Sequence, residues 1–139
     1  MNQKNFTQKS QEAIQAAQML SREYGNPQIE QAHLLYALLD QESGLIPQLV
    51  TSMGPDPASL KAAVKAELQR MPKVGGAGRE ADKVYISRDM DRALTRADEI
   101  AGEMKDEFLS VEHLFLGLID AADPTLKKLF QTYHITRDR

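Results

Sequence analysis

Two histidines stand in matching surroundings, His33 in QAHLL and His113 in VEHLF, and a third, His134, lies near the end of the chain. Imidazole nitrogens could hold a metal ion, with the Glu112 carboxylate beside His113 as a further ligand. The spacing argues against it. Neighbouring residues on a helix point about 100° apart, and no third and fourth ligand stands at a known interval. The chain has no cysteine, which excludes disulfides and thiolate zinc sites and permits a reducing compartment. His33 and His113 therefore read as imidazoles packed at a seam between helices and hydrogen-bonded to backbone, and His134 as a loop residue.

Other chemistry is sparse. Nucleophilic catalysis needs a Ser, Thr or Cys beside a base that an acid orients, and no G-x-S-x-G occurs. Glu99, Glu103, Asp106 and Glu107 belong to a mixed-charge run, the pattern of a solvated helix face. In the glycine-rich GGAG of Gly75–Gly78, Arg79 and Glu80 follow where a phosphate loop has Lys and Ser or Thr, so this is an exposed linker. The residues show no catalytic constellation. One polar set stands out. Thr7 opens the first helical segment, and Asp106 and Glu112 bracket the start of the helix that holds VEHLF, which Ser110 caps. Capping is one account of them, with Glu112 in the first turn favoured by the helix dipole. The other is the rim of a groove, whose polar groups fix a bound peptide while leucines hold its apolar side chains. Leu94, Leu109, Val111 and Leu114 are the apolar candidates for such a groove, some of them core.

The elements that position these residues are written twice. An offset of 80 residues without gaps places Phe6–Val50 on Ile86–Phe130. Ala13, Ala17, Glu23, His33, Leu34, Leu38, Asp40 and Leu49 meet identical residues at Ala93, Ala97, Glu103, His113, Leu114, Leu118, Asp120 and Leu129. Matched positions are mostly apolar and mismatched ones mostly polar, as in two copies of one fold that each keep a core face. In the first copy, Thr7 caps a helix carrying Ala13, Ile14, Ala17, Leu20 and Tyr24, and Gly25–Pro27 breaks it. Leu34, Leu35, Leu38 and Leu39 form the stripe of a second helix. Leu45–Met53 is a short third. Gly54, Asp56 and Pro57 supply a stop, a cap and a first turn for a fourth, with Leu60, Ala63, Val64, Leu68 and Met71 on its apolar face.

The second copy repeats the plan from Ser87, with Leu94, Ala97, Ile100 and Met104 on its first helix. Asp123 and Pro124 open a short helix with Leu126, Leu129 and Phe130. Its last helix should begin at Thr136 and is truncated by Arg139. No window alternates with period two over a strand's length. The expected fold is all-α: two four-helix repeats in pseudo-two-fold relation, repeat one at 6–71, a linker at 72–84 and repeat two at 85–139.

Composition sets outer bounds. The 139 residues carry a net charge of −3 with 27% charged residues, and that length can bury a real core. The mild acidity argues against non-specific nucleic-acid binding. No apolar run approaches the ~18 residues of a membrane helix, and MNQKNFTQKS lacks a signal peptide's apolar core.

Four separated stretches, FTQKSQEAI, AHLLYALLDQESG, MPKVGG and DEFLSVEHLFLGLI, resemble the Clp N-terminal domain, most closely its ClpB-type branch of ATP-driven protein disaggregases. The resemblance covers essentially the whole chain. It implies a cytoplasmic, non-enzymatic appendage of a homohexameric AAA+ ring that binds unfolded or aggregated proteins and passes them to the pore. ATP and Mg would belong to AAA+ modules absent from this chain, which needs no cofactor of its own. Substrate handling in such domains is linked to polar residues that match Thr7, Asp106 and Glu112 here. In ClpC relatives a glutamate of both EH motifs helps bind phosphorylated arginine; the first copy here has Ala32, which argues against a two-site reader. The alternative the resemblance leaves open is a dock for a folded adaptor, as in ClpA-type domains.

Overall fold

The computed structural model describes residues 5–74 and 85–137. The first half contains β1 (Asn5–Phe6), α1 (Gln8–Glu23), β2 (Gln28–Ile29), α2 (Gln31–Asp40), α3 (Leu45–Met53) and α4 (Pro57–Arg70). The second contains β3 (Tyr85–Ile86), α5 (Arg88–Glu103), β4 (Phe108–Leu109), α6 (Val111–Asp120) and α7 (Pro124–Thr132). Four helices, α1, α4, α5 and α7, begin where a side chain takes an orphan backbone N–H. Thr7 accepts from Ser10 N, Ser87 from Met90 N, Asp56 from Ala58 N and Asp123 from Leu126 N. Pro57 and Pro124 occupy the first turn behind the two aspartates, where a missing N–H costs nothing. α1, α5 and α7 each end through a left-handed residue, Gly25 (φ 67°), Lys105 (φ 60°) and His134 (φ 57°).

The helices carry the all-α fold; four two-residue strands accompany them and report the symmetry. β1 pairs with β4 and β2 with β3, both parallel. The pair Asn5↔Phe108 becomes Tyr85↔Gln28 when each partner is moved by the repeat offset, and Phe6↔Leu109 becomes Ile86↔Ile29. Beyond the ribbons, Thr7 N donates to Leu109 O at 3.0 Å and Ser87 N to Ile29 O at 3.1 Å, again as equivalents. Each repeat thus lends its first strand to the other's second, the mark of a pseudo-two-fold axis. Repeat one supplies four helices; within the described residues repeat two supplies α5, α6 and α7, without a counterpart of α4.

One core runs through both halves, from Leu34, Leu38, Leu60 and Val64 to Leu109, Leu114, Phe115 and Leu126. Phe115 and Phe130 meet edge to face with centroids 6.3 Å apart. α2 lies deepest, with nearly every side chain buried, and α6 buries Val111, His113, Leu114, Phe115 and Leu118 against the same core. Gly117 lets α6 press against α5: a Cβ there would stand 2.6 Å from Ala93 O. A buried amide joins the halves. Gln31 Nε2 donates to Asp89 O at 2.7 Å and Ala121 O at 2.8 Å, and its Oε1 accepts from Asp123 N at 2.8 Å. One detail differs from expectation. Met104 caps the C-terminus of α5 and is exposed, because the apolar stripe ends a turn earlier at Ile100 and Ala101. The expected linker starts tied down: Val74 N donates to Gly25 O at 2.7 Å, and Asn26 Nδ2 to Pro72 O at 3.1 Å. Gly75–Gly78 lie outside the described residues.

Candidate functional site

Thr7, Asp106 and Glu112 gather around β4. Thr7 reaches it through its N–H on Leu109 O, and that carbonyl also accepts Ser10 Oγ at 2.9 Å. Asp106 reaches it through a histidine. His113 Nδ1 accepts the Ser110 N–H at 2.9 Å, so that nitrogen carries no proton. The proton sits on Nε2, which donates to Asp106 Oδ2 at 2.7 Å. His113 is 2% exposed while the Asp106 side chain keeps 48% of its surface, so the imidazole is a buried post holding a carboxylate in solvent. Glu112 stands exposed in the first turn of α6, where a carboxylate complements the helix N-terminus. His113 thus belongs to the helix cap: Ser110 is the N-cap residue, and His113 closes the cap by accepting its N–H.

Repeat one uses the same device for a different end. His33 Nδ1 accepts the Glu30 N–H at 2.8 Å, and Nε2 donates to Asn26 Oδ1 at 2.8 Å. Asn26 is 1% exposed, and Ala32 replaces Glu112 and is buried. The first copy is thus a sealed structural joint and the second presents carboxylates.

The four apolar candidates lie elsewhere than a groove wall. Leu94, Leu109, Val111 and Leu114 are 6, 0, 6 and 1% exposed and belong to the core. They form the layer behind the site, because α6 is enclosed on most sides and the inward residue of β4 is Leu109. The outward residue, Phe108, is 49% exposed. With Tyr85 and Ile86 on β3, at 58% and 47%, it supplies the oily surface of the ribbons. Sequence reading passed over Phe108; a single aromatic in a charged run was its only signal. A hollow of ~370 Å³ lies between α6 and α7, lined in part by Ile119, Phe130 and Ile135. Among the described residues no group of three or more potential ligands could hold a metal ion, and no helix is long and apolar enough to cross a membrane.

A second electrostatic feature lies at the seam of the repeats. Burial pushes the Glu30 carboxyl above its ordinary range, opposed by a hydrogen bond from Ser87 and helped by the charges of Asp123 and Asp89. Burial likewise raises Asp123, against its bond from Leu126 N.

Residues 5–133 match the family described as Clp repeat (R) N-terminal domain. The chain belongs to the Clp N-terminal domain family. Among curated relatives, the chaperone protein ClpB of Clostridium tetani is 35% identical over 139 residues, covering 100% of this chain and 16% of its own length. ClpB of Nitratidesulfovibrio vulgaris is 33% identical over 135 residues, 96% of this chain and 16% of its own. The chain thus spans about a sixth of the length of these relatives. In fold it is similar to the Hsp104 N-terminal domain of Candida albicans, with a TM-score of 0.82 and 22% identity over 96% of this chain and 85% of that one. The ClpV N-domain of Vibrio cholerae gives 0.75 at 20% identity, over 91% and 76% of the two chains. Both support the all-α Clp N-domain fold.

Proposed function

We propose that this chain is the client-binding N-terminal module of a ClpB-type chaperone, weakly capturing unfolded or aggregated polypeptide and passing it to a homohexameric AAA+ ring. The observation that carries this reading is the match to ClpB along the whole chain. On this reading the chain does no chemistry, and ATP and Mg act in AAA+ modules elsewhere in the parent protein.

The β4 surface suits the task physically. Phe108, backed by the core residues Leu94, Leu109, Val111 and Leu114, offers apolar contact; Thr7, Asp106 and Glu112 offer hydrogen-bonding and charged groups beside it. An unfolded segment loses conformational freedom on binding. A shallow patch returns about 25 cal/mol per Å² of apolar area, so affinity is about micromolar or weaker and tolerant of sequence. Weak capture lets a client leave for the pore. The test is a titration of an isotope-labelled chain with a permanently unfolded protein, following amide shifts. Shifts are expected at Thr7, Asp106, Phe108 and Glu112, and Phe108→Ser should weaken binding about tenfold. Silence at these residues with saturating client overturns the reading. A pull-down that recovers one folded partner in place of many unfolded ones replaces it with adaptor docking.

A further inference from the structure

The two repeats carry the same groove between their first two helices and fill it differently. In repeat two, Arg96 lies across it. Its Nε donates to Asp120 Oδ2 at 2.9 Å, and its Nη1 to Glu99 and Glu103, each at 3.1 Å. Asp120 Oδ2 also accepts Arg137 Nη1 at 2.6 Å. Moved back by the repeat offset, Arg96 becomes Ala16, Glu99 becomes Met19, and the two remaining carboxylates persist as Glu23 and Asp40. There the groove is open: a cavity of about 200 Å³ lies between α1 and α2, lined in part by Ala16, Met19, Glu23, Tyr36 and Asp40. Lys61 Nζ donates to Asp40 Oδ1 at 2.8 Å, taking in repeat one the part that Arg137 takes in repeat two. The second cation that the matching aspartate holds in repeat two has no counterpart in this chain's repeat one, since alanine replaces its arginine.

We propose that the α1–α2 cavity of repeat one binds an arginine side chain of an incoming polypeptide, with Glu23 and Asp40 receiving the guanidinium and Met19 and Tyr36 flanking its methylene stem. Repeat two is the template, because the equivalent carboxylates hold a guanidinium there across the same pair of helices. The walls suit the rest of the side chain. Met19 is 59% exposed, and its flexible thioether can close over a stem of variable path. The Tyr36 ring already faces a cation, Lys61 Nζ, at 5.8 Å from its centroid. Exposed charge pairs are weak and salt-screened, so the site adds preference for basic segments to a sequence-tolerant module and does not anchor a client alone. The inference rests on polypeptide capture as proposed above and adds to it a chemical class of client.

The experiment titrates the 139-residue chain, labelled at methionine methyls and backbone amides, with a capped peptide of glycine and leucine bearing one central arginine. The same peptide with citrulline is the uncharged control. The arginine peptide should shift Met19 and Ala16 at about a tenth of the concentration the citrulline peptide needs, a difference that shrinks in high salt. Ala16→Arg rebuilds the arrangement of repeat two and should abolish the Met19 shift without lowering the melting temperature; Asp40→Asn should weaken binding about tenfold. Equal binding of the two peptides, or an Ala16→Arg chain that binds as before, overturns the inference. Shifts around Phe108 with an unfolded client but none at Met19 with the peptide remove the arginine site and leave capture at β4 standing. Shifts at Met19 alone keep the site and remove capture at β4, and no shift at either place removes both.

Discussion

His33 and His113 occupy the same position in their helices and make the same bond to the chain, but their outer nitrogens meet different groups. His33 meets the amide of Asn26, 1% exposed, and His113 a carboxylate half in solvent. Replacing either by alanine removes one cap bond, worth about 1 kcal/mol. In His33→Ala the Asn26 oxygen is also left without its bond inside the protein and a cavity opens, for a total near 2–4 kcal/mol. In His113→Ala water can serve Asp106, so the cost should stay near 1–2 kcal/mol. Urea unfolding of the two variants at unchanged slope reads the difference, and equal midpoints would show that the partner residue does not matter. The histidines were legible in the sequence because they recur in the repeat beside leucines. Gln31 was not. Its partners are backbone atoms of Asp89, Ala121 and Asp123, far along the chain, and the only local sign is an amide where the other copy has Val111.

Between elements, α5 and α6 approach closely at Gly117. A methyl group there would meet Ala93 O at 2.6 Å and Ala97 N at 2.9 Å, both backbone atoms that move only with the helix. Gly117→Ala should therefore destabilise the chain by about 1–3 kcal/mol in thermal unfolding, although alanine is the better helix former. The matching residue of repeat one is already Ala37, 3% exposed, and Ala37→Gly should cost only about 1 kcal/mol, from propensity and a small loss of packing. A stabilised Gly117→Ala chain would mean that α5 and α6 can part without penalty. The elements themselves were mostly readable, since Thr7, Ser87, Asp56 and Asp123 are caps by type and Pro57 and Pro124 follow two of them. The ribbons were not, because a two-residue strand has no period to detect. Nor could spacing say whether Leu94 or Leu114 faced a groove, since a groove wall and a core face carry the same apolar stripe.

For the molecule as a whole, the seam between repeats brings the N-termini of α2, α5 and α7 together with Glu30, Asp89 and Asp123. Burial raises the Glu30 and Asp123 carboxyls above their unfolded values, and Asp89 adds repulsion to both. Arg92, 3.4 Å from Asp89 and donating to Ala121 O at 2.8 Å, pulls Asp123 the other way. A carboxyl with a raised folded pKa binds its proton more tightly in the native chain than in the unfolded one. Its contribution to stability is thus fully present below the unfolded pKa, about 4.3 for Glu, and is lost as pH rises through the higher folded value. Glu30→Gln removes that loss while its side-chain oxygen can still accept from Ser87. The variant should therefore gain on the parent chain as pH is raised from about 4 towards neutrality, read as the difference in unfolding free energy at each pH. Asp123→Asn keeps an oxygen for the Leu126 N–H and should show the same sign. Because the two carboxylates repel each other, the double variant should gain less than the two single gains combined. Parallel curves for parent and Glu30→Gln would mean that water reaches the seam, and the two repeats would then be joined by Gln31 and the ribbons without an electrostatic cost at neutral pH.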